Sequence, residues 1–185
     1  QALVRVDALL GVVAVEAAGA ALDLRVRPAE RTGRDLGVGD GLLTLLLAEV
    51  ASSVTAVDIN PGVLEQLRTR AKAKGIGNIT TVEGGIESLP LPDANFDVVV
   101  MSQALHHAQE PRKALEEARR VLVPGGRVLV LDLLAHHEEW VKDQFQHVHL
   151  GFGEPELEQM LVEAGFDRVR VQRAARDPQP PHFMT

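Results

Sequence analysis

From residue 35 onward the chain alternates short β-branched runs with longer amphipathic ones. "SVTAVDI" (53–59), "NITTVEG" (78–84), "FDVVVMS" (96–102), "RVLVLDLL" (127–134) and "FDRVRVQ" (166–172) read as strands. The third of these, 96–102, is apolar enough to be buried on both faces. Between the strands, Asn60 and Pro61 form a cap and first-turn pair that opens a helix, which Gly75 and Gly77 end. Pro111 starts a second helix through Arg120, with Ala114, Leu115, Ala118 and Leu122 on one side. "VPGG" (123–126) reads as a turn, and "EPELEQMLVEAG" (154–165) as a further amphipathic helix. Alternating strands and helices predict a doubly wound, mostly parallel α/β sheet with helices on both faces.

Two ends of this pattern are thin. The first strand, expected at 31–36, falls in "ERTGRDLG", which is charged and contains Gly33. The tail "RDPQPPHFMT" is Pro-rich, and "HFMT" reads as the beginning of a truncated last strand. The expected organisation is an N-terminal helical or lid segment at 1–30, a ligand-binding domain at 31–175 and the tail at 176–185.

Composition narrows the function. The 185 residues suit one domain, and the formal net charge of -7 argues against general nucleic-acid binding. There is no Cys, which excludes disulfides, thiolate metal sites and Cys nucleophiles. The longest apolar run, "LLGVVAVEAAGAAL", is interrupted by Glu16 and flanked by Arg5, Asp7 and Asp23, so no membrane span is expected. It has no basic n-region or convincing cleavage site, and a cytoplasmic protein is expected.

The chemistry-bearing stretch is "DLGVGDG" (35–41), with glycines at alternate positions before a leucine-rich helix. Such a loop lets a ligand approach the main chain at a helix N-terminus. Asp58 ends the next strand, 17 positions after Gly41, where a carboxylate can accept from both hydroxyls of a ribose. Loop plus acid points to an adenosine-containing cofactor. A dinucleotide fingerprint requires Gly at its sixth position, where this chain has Leu42.

The pattern D-x-G-x-G-x-G resembles the first motif of class I S-adenosylmethionine-dependent methyltransferases. The resemblance continues through "VTAVDINPGVLEQLRTRA", "VEGGIESLPLPDANFDVVVMSQALHH" and "EEARRVLVPGGRVLVLDLL". It is closest to the ubiquinone/menaquinone-biosynthesis subgroup. The stretch 136–166 is also similar to the methyltransferase half of ArsR-type regulator fusions. The resemblance implies a Rossmann-like fold and S-adenosylmethionine as cofactor, with S-adenosylhomocysteine as product. It counts Asp35 among the cofactor-binding positions and brings Gly37, Gly39 and Gly41 near the methionine part. Asp58 would hold the ribose, Ile59 would line the adenine, and Gly85 and Ile86 would sit at the adenine edge. Ser102 and Gln103 would lie near the methyl group. The family commonly has Asp where this chain has Gly85.

Six of the seven histidines fall in "HH" (106–107), "HH" (136–137) and "HVH" (147–149). Adjacent histidines do not easily share one ion and no H-x-x-x-H pair appears, so no metal site is expected. His106 and His107 follow the fourth strand of the family, which faces the substrate, and are the candidate general bases. Trp140 and Phe145 are read as core or lid packing. The expected function is methyl transfer to a small-molecule acceptor. The alternative is a non-catalytic, regulatory module that binds S-adenosylmethionine or S-adenosylhomocysteine.

Overall fold

A computed structural model describes residues 12–16 and 41–173 of the chain. Its strands are β1 (Val12–Glu16), β2 (Ser53–Asp58), β3 (Ile79–Glu83), β4 (Phe96–Ser102) and β5 (Leu122–Leu131). They form one sheet in the order β3-β2-β1-β4-β5. β2 and β3 are parallel, as are β4 and β5, while β1 runs antiparallel to both β2 and β4. Four strands therefore share one direction and only the middle one opposes them.

That middle strand differs from the expectation. The pattern predicts a helical or lid segment at 1–30, yet Val12–Glu16 fills the central place expected for residues 31–36. The physical reason lies in composition. A central strand is covered on both faces and favours β-branched apolar residues. "VVAVE" meets that demand and "ERTGRDLG" does not. Residues 31–36 themselves lie outside the described part.

The helices are α1 (Leu42–Ala48), α2 (Pro61–Ala73), α3 (Pro111–Val121), α4 (Trp140–Phe145) and α5 (Glu154–Glu163). Asn60 caps α2 as its sequence predicts: its side chain accepts from the Gly62 N–H, and Pro61 takes the first turn. The pleat of β4 sorts the core into two layers. Val99 and Met101 pack with Ala114, Leu115 and Ala118 of α3 and Leu161 of α5. Val98 and Val100 face the other way, with Leu47 and Ala48 of α1. Ala56 of β2 packs with Val63, Leu67 and Ala71 of α2. Helices thus cover both faces, as expected.

The "VPGG" turn is a bulge inside β5. Phe96 pairs with Leu122 but Val98 pairs with Arg127, and Gly125 takes φ of 82° to make the detour. The strand expected at 166–172 does not form. Phe166, Val169 and Val171 instead pack against the α3–α5 core layer. A strand needs a ladder partner, and among the described residues no strand lies beyond β5 to supply one. The proposed last strand, "HFMT", lies outside the described residues. No helix among the described residues is long and apolar enough to cross a membrane.

Candidate active site

The carboxyl ends of β2, β3, β4 and β5 lie along one edge of the sheet, and nearly every described candidate residue gathers there. Gly41 caps α1 with φ of 74°, a left-handed conformation that glycine adopts without steric cost. Asp58 ends β2 and is only 2% exposed. Its Oδ1 accepts the Asn60 N–H at 2.7 Å, so the carboxylate is oriented by the same residue that caps α2. Next to it Ile59 is 72% exposed, an apolar side chain held at the rim. Ile86 packs against the core from the loop after β3. A Cβ built on Gly85 would meet nothing within 4 Å, so the rim has open space at this position. Ser102 is buried at the end of β4, and Gln103 follows with φ of 53°. Asp35, Gly37 and Gly39 lie outside the described residues. The donor set fits an adenosyl group: a buried carboxylate for a diol, an apolar rim and a glycine gap.

The loop between β3 and β4 is fastened to α3. Arg120 donates to the Leu89 and Leu91 carbonyls, at 2.9 Å each, and pairs with Glu117 and Asp93. Glu117 in turn accepts the Leu89 N–H at 2.8 Å. Its hydrogen bond with Arg120 holds its carboxyl below the usual range, and the guanidinium is correspondingly pushed up.

Beyond β4 and β5 lies a second group of residues. Leu105–His107 form a single 3-10 turn, which drops His106 into the interior at 2% exposure. Its Nδ1 lies 2.7 Å from Asp132 Oδ1, just past the end of β5. Asp132 also accepts the Leu105 and Leu133 N–H groups, at 2.8 Å each. With a carboxylate as partner, Nδ1 carries a proton, and Nε2 is the ring nitrogen turned away from Asp132. His107 is fixed the same way: its Nδ1 faces the Gln146 carbonyl at 3.2 Å, and a carbonyl can only accept.

Gln146 ends α4 in the left-handed conformation, with φ of 56°. The reversal brings His147 back against His106 and His107, with ring centroids 4.3 and 5.0 Å away. The Val148 and His149 N–H groups both donate to the His106 carbonyl, at 3.1 and 2.9 Å, and lock the segment in place. Burial holds the His107 and His147 rings near pKa 4, and the neighbouring His106 adds to both shifts, so these two rings are neutral at pH 7. Trp140 and Phe145 stack edge-on at 5.6 Å and Phe145 reaches His147 at 5.9 Å.

Asp132 and Gln146 carry no mark in the sequence reading, and His147 appears there only as part of the "HVH" run. Asp132 had a usable signal: it follows the apolar run "VLVL" much as Asp58 follows "VTAV". The expectation of no metal site considered adjacent histidines and helical pairs, whereas His147 reaches His106 and His107 from a separate segment. A 3-10 turn at one position and a left-handed residue at the other bring them together, and neither is visible in spacing.

Four co-directional strands with helices on both faces, and a buried acid ending β2, make the described part a Rossmann-like α/β domain. The methyltransferase-domain family matches residues 34–130, just over half of the chain, and the chain belongs to it. A Bacillus subtilis protein, the uncharacterized methyltransferase YcgJ, is 35% identical over 135 residues, covering 71% of this chain and 53% of YcgJ. The ubiquinone/menaquinone biosynthesis C-methyltransferase UbiE of Shewanella sp. (strain ANA-3) is 28% identical over 165 residues, covering 73% of this chain and 66% of UbiE. Among solved structures, a putative methyltransferase from Bacillus halodurans (BH2331) superposes with a TM-score of 0.64 at 27% identity, covering 70% of this chain and 60% of that one. The chain thus spans 53% and 66% of the two curated relatives.

Proposed function

We propose that the chain binds S-adenosylmethionine along the carboxyl edge of β2–β4 and transfers its methyl group to a small-molecule acceptor. The observation that carries this reading is Asp58: a carboxylate buried at the end of β2 and oriented by the Asn60 N–H. Bound there, S-adenosylmethionine supplies an already activated sulfonium methyl group. The protein's task is then alignment and exclusion of water. Asp58 would accept from the ribose hydroxyls, Ile59 and Ile86 would flank the adenine, and Ser102 and Gln103 would border the methyl group.

The acceptor would approach past β4 and β5. There Nδ1 of His106 is held by Asp132 and Nδ1 of His107 by the Gln146 carbonyl, which leaves Nε2 of each ring as the candidate proton acceptor. Either ring could take a proton from an acceptor that must ionise before attack. Resemblance to the ubiquinone/menaquinone-biosynthesis subgroup makes hydroxylated aromatic rings of the quinol type the first acceptors to test. One observation favours the non-catalytic alternative: Gly85 offers no side-chain acceptor to the adenine amine.

The test is turnover with labelled S-adenosylmethionine over a panel of phenols, quinols, amines and thiols, reading S-adenosylhomocysteine. Acceptor-dependent product that is lost in Asp58→Ala supports methyl transfer. Tight binding of S-adenosylmethionine with no product from any acceptor class supports the regulatory module instead.

A further inference from the structure

We propose that His106, His107 and His147 form a binding site for one divalent transition-metal ion, with imidazole nitrogens as its protein ligands. One ring nitrogen from each of the three lies within 4.8 Å of the other two. Three imidazoles round a tetrahedral ion would stand about 3.4 Å apart at metal–nitrogen bonds of about 2.0–2.1 Å. Binding would draw the three nitrogens together by that difference.

Three independent features support a ligand set over chance crowding of rings. First, the outer partners are in place. A metal-bound His usually gives its other N–H to a carboxylate or a carbonyl, which fixes tautomer and ring direction. His106 does so to Asp132 at 2.7 Å and His107 to the Gln146 carbonyl at 3.2 Å, leaving Nε2 on each ring for an ion. Second, His147 Nδ1 is buried and has no hydrogen-bond partner. A buried polar nitrogen without a partner is costly, and a ligand would relieve it. Third, the backbone is committed to the arrangement. Gln146 holds a left-handed conformation, and both N–H groups after His147 are tied to the His106 carbonyl.

The ligand chemistry selects the ion. Three imidazoles with no thiolate and no direct carboxylate suit zinc, cobalt, nickel or copper and not magnesium or calcium. Three protein ligands leave a fourth position for water or for an oxygen of a small molecule. The inference rests on the histidine geometry and not on methyl transfer. It does bear on that reading, because an ion on His106 Nε2 takes the lone pair that a base would use.

The experiment is calorimetric titration of chelator-stripped full chain with zinc chloride at neutral pH. A second readout is the visible absorption of the same protein with cobalt chloride. The expected result is one ion per chain and cobalt bands of tetrahedral type. His147→Ala and His107→Ala should each weaken zinc binding by more than the roughly 10–100-fold typical of outer-partner changes. His137→Ala, at an exposed histidine outside the triad, should leave affinity unchanged. Circular dichroism checks folding, and if His107→Ala unfolds, His147→Ala alone decides. No zinc heat and no cobalt band in the wild-type chain would overturn the proposal. So would a folded His147→Ala that binds zinc as tightly as the wild type.

Discussion

The two halves of the sheet's working edge are built on different principles. On the β2–β3 side the rim is sparse and open: Asp58 is buried and accepts the Asn60 N–H, but Ile59 stands 72% exposed and Gly85 borders empty space. On the β4–β5 side the groups interlock: His106 is 2% exposed, Asp132 serves three donors, and the chain after Gln146 is pinned to the His106 carbonyl. The first half has the character of an open cradle. The second is a preformed polar network that orients its own rings. A cradle loses affinity when altered, whereas a buried network loses fold stability.

Four changes test that contrast, beginning with the largest effect. Asp132→Ala removes the acceptor of three buried donors, the Leu105 and Leu133 N–H groups and His106 Nδ1–H. It should lower unfolding free energy by about 3–5 kcal/mol in urea titration. A loss under about 1 kcal/mol would show that the network is not what holds this corner. On the cradle side, Asp58→Ala should weaken S-adenosylmethionine binding by about 1.5–3 kcal/mol by calorimetry, since it removes hydrogen bonds to a charged acceptor. Unchanged affinity in a folded variant would remove the ribose assignment.

Smaller still is the gain from Gly85→Asp. The added Cβ has room, and φ at 85 is not in the left-handed range. Binding should tighten by about 1–2 kcal/mol, and an analogue without the exocyclic adenine amine should gain little. Weaker binding of both would mean that the adenine lies elsewhere. The smallest effect belongs to the clamp behind the cradle. Arg120 lowers the Glu117 pKa in the folded chain, so the unfolded chain binds more protons as pH falls through the carboxylate range. The clamp's stability is then present above the unfolded value of about 4.5 and lost as pH drops below it. Glu117→Gln should flatten the acid side of the stability–pH curve by about 1 kcal/mol or less. An unaltered curve would show that the pair is only a surface contact.

The cradle was largely readable in the chain because its requirements are local. Asp58 follows its own strand, Asn60 and Pro61 announce their own helix, and Gly41 sits at a turn that needs positive φ. The α3 face and both layers of β4 were equally plain, since burial imposes periodicity on consecutive residues. The network was not readable, because it joins residues about 25 to 40 positions apart through two conformations that side-chain type does not specify. His106 and His107 were visible as candidates, but Asp132 and His147 meet them only once β5 and α4 are in place. The first strand was expected at 31–36, yet the apolar run Val12–Glu16 lies at the sheet centre, while residues 31–36 lie outside the described part. The strand expected at 166–172 failed for want of a neighbour, a condition its own sequence cannot state.

The central claim is that the carboxyl edge of β2–β4 is shaped for an adenosyl sulfonium ligand and not for a dinucleotide. The most direct measurement is calorimetric titration of the full chain with S-adenosylmethionine and, in parallel, with NAD. The account predicts one S-adenosylmethionine per chain and no measurable heat with NAD. Saturable NAD binding with no response to S-adenosylmethionine would contradict it.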